Sequence, residues 1–441
     1  AGSARKPRAD AGATPAAARA AGADTTTGNG LVDSNGVRVF ATIAEAIAAA
    51  SPLDRIVVEP GEYHENLTVD KPLEIVGAEA TSPVIVRGDC SAATFWITAS
   101  CRLSNLWLAQ EAATADSPIL ATVLASAGLN VLIDECDIAS AAGHAVVIKG
   151  PRTKASIVHN TIHDSRGVGV LFCDEATGAL TDNTIFANKR AGVAILRGGS
   201  PLVNANMIRD GDDSGVLVSE SGKGRVESNV IQRNTRAGVA ILQSGQPIIS
   251  RNTIAHGRDS GVLVCECGEG TIEHNLIVGN RIAGIAICSG AAPQLVGNRI
   301  GQGDGRSLCI AEGCRPHVES NTLEADAEMS NLSIPLALRQ LLSTRNTLVD
   351  KVELSPPLPR AFTDAAGIGE LASAGGIGVS GGVGGLLAGH AHAQHGVGWH
   401  PHAVPVSAAA GGGAHHHLHP PLTSWRHGFP MLKVGSRRPT T

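Results

Sequence analysis

The sequence predicts an all-β fold, a right-handed parallel β-helix of 23-residue coils, and three observations carry the prediction. An asparagine returns every 23 residues: Asn160, Asn183, Asn206, Asn229, Asn252, Asn275, Asn298 and Asn321. Apolar residues hold fixed places around it, three before (Ile157, Leu180, Val203, Val226, Ile249, Ile272, Leu295, Val318) and two after (Ile162 through Ile300, then Leu323). The composition agrees: 53 Gly and 43% hydrophobic residues but only 2% aromatics, a core of Val, Ile, Leu and Ala broken by turns. A coil this short, rich in β-branched residues and Gly, reads as stacked strands rather than helix pairs. It lacks the evenly spaced leucines of leucine-rich repeats. The right hand follows the rule for parallel crossovers.

A longer period overlies the first. Gly178, Gly224 and Gly270 alternate with Pro201, Pro247 and Pro293, and Asn188, Asn234 and Asn280 alternate with Gly211, Gly257 and Gly303. The unit is therefore a 46-residue super-repeat of two unlike coils. Another glycine column, Gly169, Gly192, Gly215, Gly238, Gly261 and Gly284, breaks at Ser307.

Taken in order, residues 1–33 read as a disordered lead-in. Residues 34–136 read as an N-terminal cap and irregular first coils. Within them, Thr42 to Ala50 form a short amphipathic helix with Ile43, Ala46, Ile47 and Ala50 on one face, closing the open end of the stack. Residues 137–325 are the regular coils, with Asp137 in the asparagine slot one period before Asn160. Residues 326–354 are a C-terminal cap, with a helix over Pro335 to Leu342. Residues 355–441, rich in Gly, Ala and His, read as a disordered tail.

The asparagines read as structural. An odd offset before and an even one after, both inward, require a bend beside the Asn, and Asn tolerates the left-handed conformation. Coils about 4.8 Å apart let the amides bond up and down as a ladder.

The blocks Gly-Val-Ala-Ile-Leu (192–196, 238–242) and Gly-Val-Leu-Val (215–218, 261–264), each followed by Asn-x-Ile, resemble the β-helix of F-box-only proteins. So do Phe40-x-Thr-Ile-x-Glu-Ala-Ile, Ile56-Val-Val-Glu-Pro-Gly-Glu-Tyr63 and Lys71-Pro-Leu-Glu-Ile-Val-Gly77. The resemblance spans roughly residues 37–325 and extends more distantly to alginate-epimerase and pectin-lyase-like β-helices. It implies substrate recognition in protein ubiquitination. No F-box is visible, and a chain opening on Ala leaves room for one upstream.

Candidate binding residues lie on the strand after each glycine. Val193, Ile195, Val216 and Val218 point inward, so Leu196, Leu217, Leu242 and Leu263, with Ala194 and Ala240, form an apolar outward face that a protein partner or peptide would cover. Beside it an acidic column, Asp174, Glu220, Glu266 and Glu312, recurs every 46 residues with Arg197, Gln243 and Ser289 between; it reads as a solvated ladder, with cation binding the alternative. Arg190, Asp213, Arg236 and Asp259 alternate in sign and read as register-fixing surface pairs.

No intact catalytic motif is found. Gly211-Asp212-Asp213 resembles one fragment of the polygalacturonase signature without its companions, and Arg315-Pro316-His317 departs from the epimerase Asp-Pro-His at its first residue. Between 137 and 323 the aromatics are Phe172 and Phe186, which argues against a long polysaccharide groove on the regular coils; Trp96 and Trp107 precede them. No cofactor and no metal site is expected, although the tail run around His390, His392, His395 and His415 to His419 can chelate metals. A net charge of −5 excludes a globally basic nucleic-acid binder. No apolar run is long enough to span a membrane. Nine scattered cysteines without a C-x-x-C pair read as reduced thiols in an intracellular protein. The leading expectation is a non-catalytic recognition scaffold for protein partners. The alternative is a carbohydrate-binding or carbohydrate-active β-helix, and a structural rod is the third.

Overall fold

The computed structural model describes residues 31–32, 38–111, 120–126, 128–301, 306–324, 344–349, 352 and 431–434. The chain winds as a parallel β-helix. Each coil gives one strand to each of three sheets of 15, 13 and 11 strands, here called A, B and C. In one coil these are Thr177–Thr181 in A, Thr184–Phe186 in B and Val193–Ile195 in C. Pairing between regular coils is parallel at an offset of 23, as in Leu180↔Val203, Ile185↔Ile208 and Val193↔Val216. One face of each strand fills the bore, so Leu180, Ile185, Val193 and their repeats stack into a single fully buried core. Identical neighbours at each level keep β-branched side chains interdigitated, which is what the 23-residue apolar columns encode.

The corners explain the asparagines, with one correction. The left-handed residue is the one before each Asn: His159, Asp182, Ala205, Ser228, Arg251, His274 and Ser320 have φ of 53° to 59°, and Gly297 66°. The Asn itself turns inward and is buried. Asn206 Nδ2 donates to the Leu180 carbonyl (2.7 Å), the Asn204 carbonyl (3.0 Å) and Asn229 Oδ1 (3.0 Å). The side chain thus satisfies backbone groups that the bend takes out of the ladder. The slot before Asn160 belongs to Cys136 rather than Asp137, because that coil is one residue longer: Cys136 N–H donates to Asn160 Oδ1 (2.9 Å), while Asp137 pairs with Thr161. Asn346 adds a rung after Asn321, at an offset of 25.

The corner between B and C carries a second, partial ladder. Ser165, Gly211 and Gly257 donate backbone N–H groups to Asn188, Asn234 and Asn280 Oδ1 at 3.0 to 3.1 Å. The glycines that follow are needed for room: a Cβ on Gly238 would stand 2.3 Å from Ile254 Cγ2 and 2.7 Å from the Gly261 carbonyl oxygen. The 46-residue period has the same origin. Gly224 (φ 103°) and Gly270 (φ 99°) each lie on a proline of the preceding coil, with room for no Cβ: it would meet the Pro201 or Pro247 carbonyl oxygen at 2.4 Å.

The N-terminal end is closed as expected by helix α1 (Ile43–Ala49), capped by the Thr42 hydroxyl accepting from Glu45 N–H, with Ile43, Ala46 and Ile47 buried. Charges from the first coil hold both ends. The Glu65 carboxylate accepts from Ile43 and Ala44 N–H (2.9 and 2.8 Å), and Lys71 Nζ donates to the carbonyls of Ile47, Ala48 and Ala50. Opposite charge at each terminus also suits the helix dipole. Reading 355–441 as a disordered tail did not provide for a strand, yet Met431–Val434 sits in sheet A between Arg38–Phe40 and Arg55–Val58, parallel to both. Thr347–Val349 extends sheet B, and Val352 packs outside it against Ala255 and Val278. The helix expected over Pro335 to Leu342, the His-rich run and residues 1–30 of the expected lead-in 1–33 lie outside the described residues, while Leu31–Val32 of that lead-in forms a strand antiparallel to Arg38–Phe40.

Candidate functional site

The outer face of sheet B carries the candidate site. At the N-terminal end stands Trp107, 51% exposed, in register with Ile85 and Asp137. Next comes a column of planar side chains. His163 stacks on Phe186 at 5.0 Å between ring centroids, and the Arg209 guanidinium lies 4.7 Å from the other side of that ring. His163 Nε2 is 2.9 Å from Asp137 and Nδ1 2.7 Å from Asp164. The hydrogen bond to Asp137 is the main cause that holds the imidazole protonated, pushing its pKa up to about 9 against partial burial. Arg209 and Arg233 share Asp210 at 2.6 to 2.9 Å.

Further along, at the corner between A and B, a groove of about 420 Å³ is lined by Arg251, Thr253, His274, Leu276 and Arg299 over a floor of Asn252, Asn275 and Gly297. Arg251 and His274 occupy the left-handed position before consecutive ladder asparagines, which turns their side chains out of the rod. Among the described residues, none of the Arg251, His274 and Arg299 side chains has a hydrogen-bond or ion-pair partner. Gly297 takes the left-handed position in the third coil, and the His274 ring folds against it: a Cβ there would lie 2.6 Å from Nδ1. The repeat does not mark these residues, because the positions beside each Asn vary in kind from coil to coil. The signal was the positions one before and one after each Asn, which the corner geometry turns outward.

The expected site residues fall elsewhere and do not converge. Leu217 and Leu263 lie in one column on the outer face of sheet C with Ala194 and Ala240, while Leu196 and Leu242 lie in the next. Leu196 is buried in an outer cluster with Val147, Leu171 and Cys173; Leu217 is half-buried against it, and Leu242 and Leu263 are half-buried. Trp96, 43% exposed, stands second in the Leu217 column, after Thr68. Asp174, Glu220 and Glu266 take left-handed positions at the corner between C and A, and Glu312 lies exposed at the far end. Arg197 spans the first pair, with Nε 2.5 Å from Asp174 and Nη1 3.4 Å from Glu220. Asp212 pairs with Lys189 (2.8 Å) and Asp213 with Arg236 (3.6 Å), so the Gly211-Asp212-Asp213 fragment serves the surface. A further network crosses sheet A, where Arg102 joins the buried Glu74 (2.7 Å) to Asp134 (2.7 Å).

The cysteines correct the reduced-thiol expectation. Cys265 and Cys288, at the same place in successive coils with Cα atoms 4.8 Å apart, form a disulfide; the other seven are free. Stacking brings equivalent residues to disulfide distance whatever their spacing in sequence. No helix among the described residues is long and apolar enough to cross a membrane.

Residues 129–304, fewer than half of the chain, match the family profile described as "Periplasmic copper-binding protein (NosD)". Among curated proteins none matches. Among solved structures, the chain is similar to the periplasmic alginate epimerase AlgG (14% identity over 59% of this chain and 78% of that one, TM-score 0.46, for a double mutant). It is likewise similar to the A-module of the Azotobacter vinelandii mannuronan C-5 epimerase AlgE4 (14%, 67% and 91%, 0.48). A GH87 α-1,3-glucanase catalytic unit from Streptomyces thermodiastaticus gives 15% identity over 70% and 64%, with a TM-score of 0.46. The copper of the family description does not fit the residues in view: among the described residues no three His, Cys, Asp or Glu side chains converge, and Cys265 and Cys288 are bound to each other. What the chain shares with these proteins is the parallel β-helix.

Proposed function

We propose, against the expectation drawn from the scarce aromatics of the regular coils, that this chain is a carbohydrate-binding β-helix that takes an extended saccharide along the outer face of sheet B. The observation that carries the reading is Trp107, a large ring half exposed near one end of that face. An exposed aromatic offers a flat apolar surface to the C–H face of a sugar, with polar neighbours for its hydroxyls. The groove at Arg251 to Arg299 lies six coils away on the same sheet, about 29 Å at 4.8 Å per coil. That span suits a polymer rather than a small molecule. The reading is of binding and draws on no catalytic step.

Retention of the full chain on a panel of immobilised glycans tests it. Trp107→Ala is expected to lower saccharide affinity at least tenfold with an unchanged far-UV spectrum. No retention on any glycan, or equal retention of the variant, overturns the reading.

A second reading, a protein partner on the outer face of sheet C, is supported by the half-buried leucines Leu217, Leu242 and Leu263 continuing from exposed Trp96. Loss of partner capture in Leu217→Ser/Leu263→Ser supports it, and unchanged capture removes it. Nothing in the fold or the comparisons adds support for a role in ubiquitination. The Cys265–Cys288 disulfide and the word "periplasmic" in the matched family description support an oxidising compartment instead of an intracellular one.

A further inference from the structure

We infer that the groove between Arg251 and Arg299 binds the charged units of an acidic polysaccharide. This rests on the saccharide reading of sheet B and deepens it by fixing the charge class of the ligand.

Many cations of this surface have an acid beside them. Arg197 has Asp174 and Glu220, Arg225 has Glu227, Arg233 has Asp210, Lys189 has Asp212, Arg102 has Glu74 and Asp134, and Arg87 has Glu62. Three cationic or protonatable side chains without a partner, Arg251, His274 and Arg299, line one groove on successive coils. Their neighbour Glu273 ends a strand of sheet A and faces that sheet's outer side. Like charges brought together in this way cost free energy that a bound anion would offset.

The spacing selects a polymer over a small anion. Arg251, His274 and Arg299 belong to three successive coils, so the two arginines are set two coils, about 9.6 Å, apart along the axis. Charges repeating along a chain can meet each arginine where it stands. Between them the His274 ring lies over Gly297, where a side chain would otherwise project, and Thr253 and Leu276 add a hydroxyl and an apolar surface to the lining. Arginine adds the planar fork that takes a carboxylate with two parallel hydrogen bonds.

The test uses the full chain in calorimetric titrations with an oligogalacturonate, with the galacto-oligosaccharide of equal length that lacks carboxylates, and with inorganic sulfate. The acidic oligomer is expected to bind at least tenfold more tightly than the neutral one, with affinity falling as salt rises. Arg251→Ala/Arg299→Ala is expected to lose at least tenfold on the acidic oligomer and to keep its neutral affinity. Arg251→Lys/Arg299→Lys is expected to fall between. Equal affinity for both oligomers, with Trp107→Ala still weakening both, overturns this inference and leaves the saccharide reading standing. Sulfate binding as tight as the acidic oligomer, or an unchanged double variant, overturns it as well. Binding of neither oligomer overturns this inference, and the glycan panel decides the saccharide reading by itself.

Discussion

Asn183 Nδ2 donates to Asn206 Oδ1 at 2.9 Å, and Asn183 backbone N–H donates to the same oxygen at 2.9 Å. One amide oxygen thus closes two buried donors of the coil before it, and its own nitrogen repeats the act on Asn229. Replacing Asn206 with Ala leaves the Asn183 N–H and the Leu180 carbonyl short of partners in a dry corner. An unmet buried polar group costs about 1–3 kcal/mol, so a loss of about 3 kcal/mol is expected. Urea denaturation checks it; a loss below about 1 kcal/mol shows that the ladder is ornamental to stability. Asn206→Asp is expected to be at least as costly, because a carboxylate has no N–H for the Leu180 carbonyl.

The glycine columns make a paired prediction. Gly238→Ala places a methyl 2.3 Å from Ile254 Cγ2 with backbone close behind, and is expected to cost about 2 kcal/mol or more through overpacking. Gly211→Ala meets its nearest atom, Asn234 Oδ1, at 3.2 Å and is expected to change stability by less than about 1 kcal/mol. Parallel thermal melts of the two variants distinguish a close-packed glycine column from one with room for a methyl.

The disulfide is open to direct counting. Thiol titration of the denatured, unreduced chain is expected to give seven thiols, and nine after reduction. Nine before reduction removes the bond. Cys265→Ser/Cys288→Ser is expected to lose about 3 kcal/mol, the chain-entropy figure for a loop of this length.

Two histidines predict opposite responses to pH. His163 has its folded pKa raised to about 9 by Asp137 and Asp164. Its contribution is complete below the unfolded value of about 6.5 and is lost as pH rises toward 9. His144 is pushed down to about 4 by burial, and its Nδ1 accepts from Val168 N–H at 3.0 Å. Its contribution is present above about 6.5 and is lost as pH falls toward 4. His163→Phe keeps a ring on Phe186, so it is expected to flatten the alkaline side of the stability profile and leave the acid side as it was. An unchanged alkaline slope shows that His163 is not held protonated.

The solenoid was legible in the sequence because stacking gives every coil the same environment, so Asn160 to Asn321 and the flanking isoleucines answer one physical demand eight times over. The capping helix was legible too, since Ile43, Ala46 and Ile47 share a face and Thr42 caps it. Outward positions answer to their neighbours in adjacent coils, and there the sequence alone stops. Arg209 and Arg233 find Asp210, whereas Arg251 and Arg299 find no acid, although all four are arginines at corners or on strands of the same sheet. Spacing likewise did not tell Cys265 and Cys288 from the other cysteines, because their pairing comes from coil stacking across 23 residues. Nor did it announce that Met431–Val434 returns to sheet A beside Arg55–Val58. The inward columns are fixed by a repeated local rule. The surface chemistry is fixed by which unlike residues the winding brings side by side, and only the tertiary structure decides that.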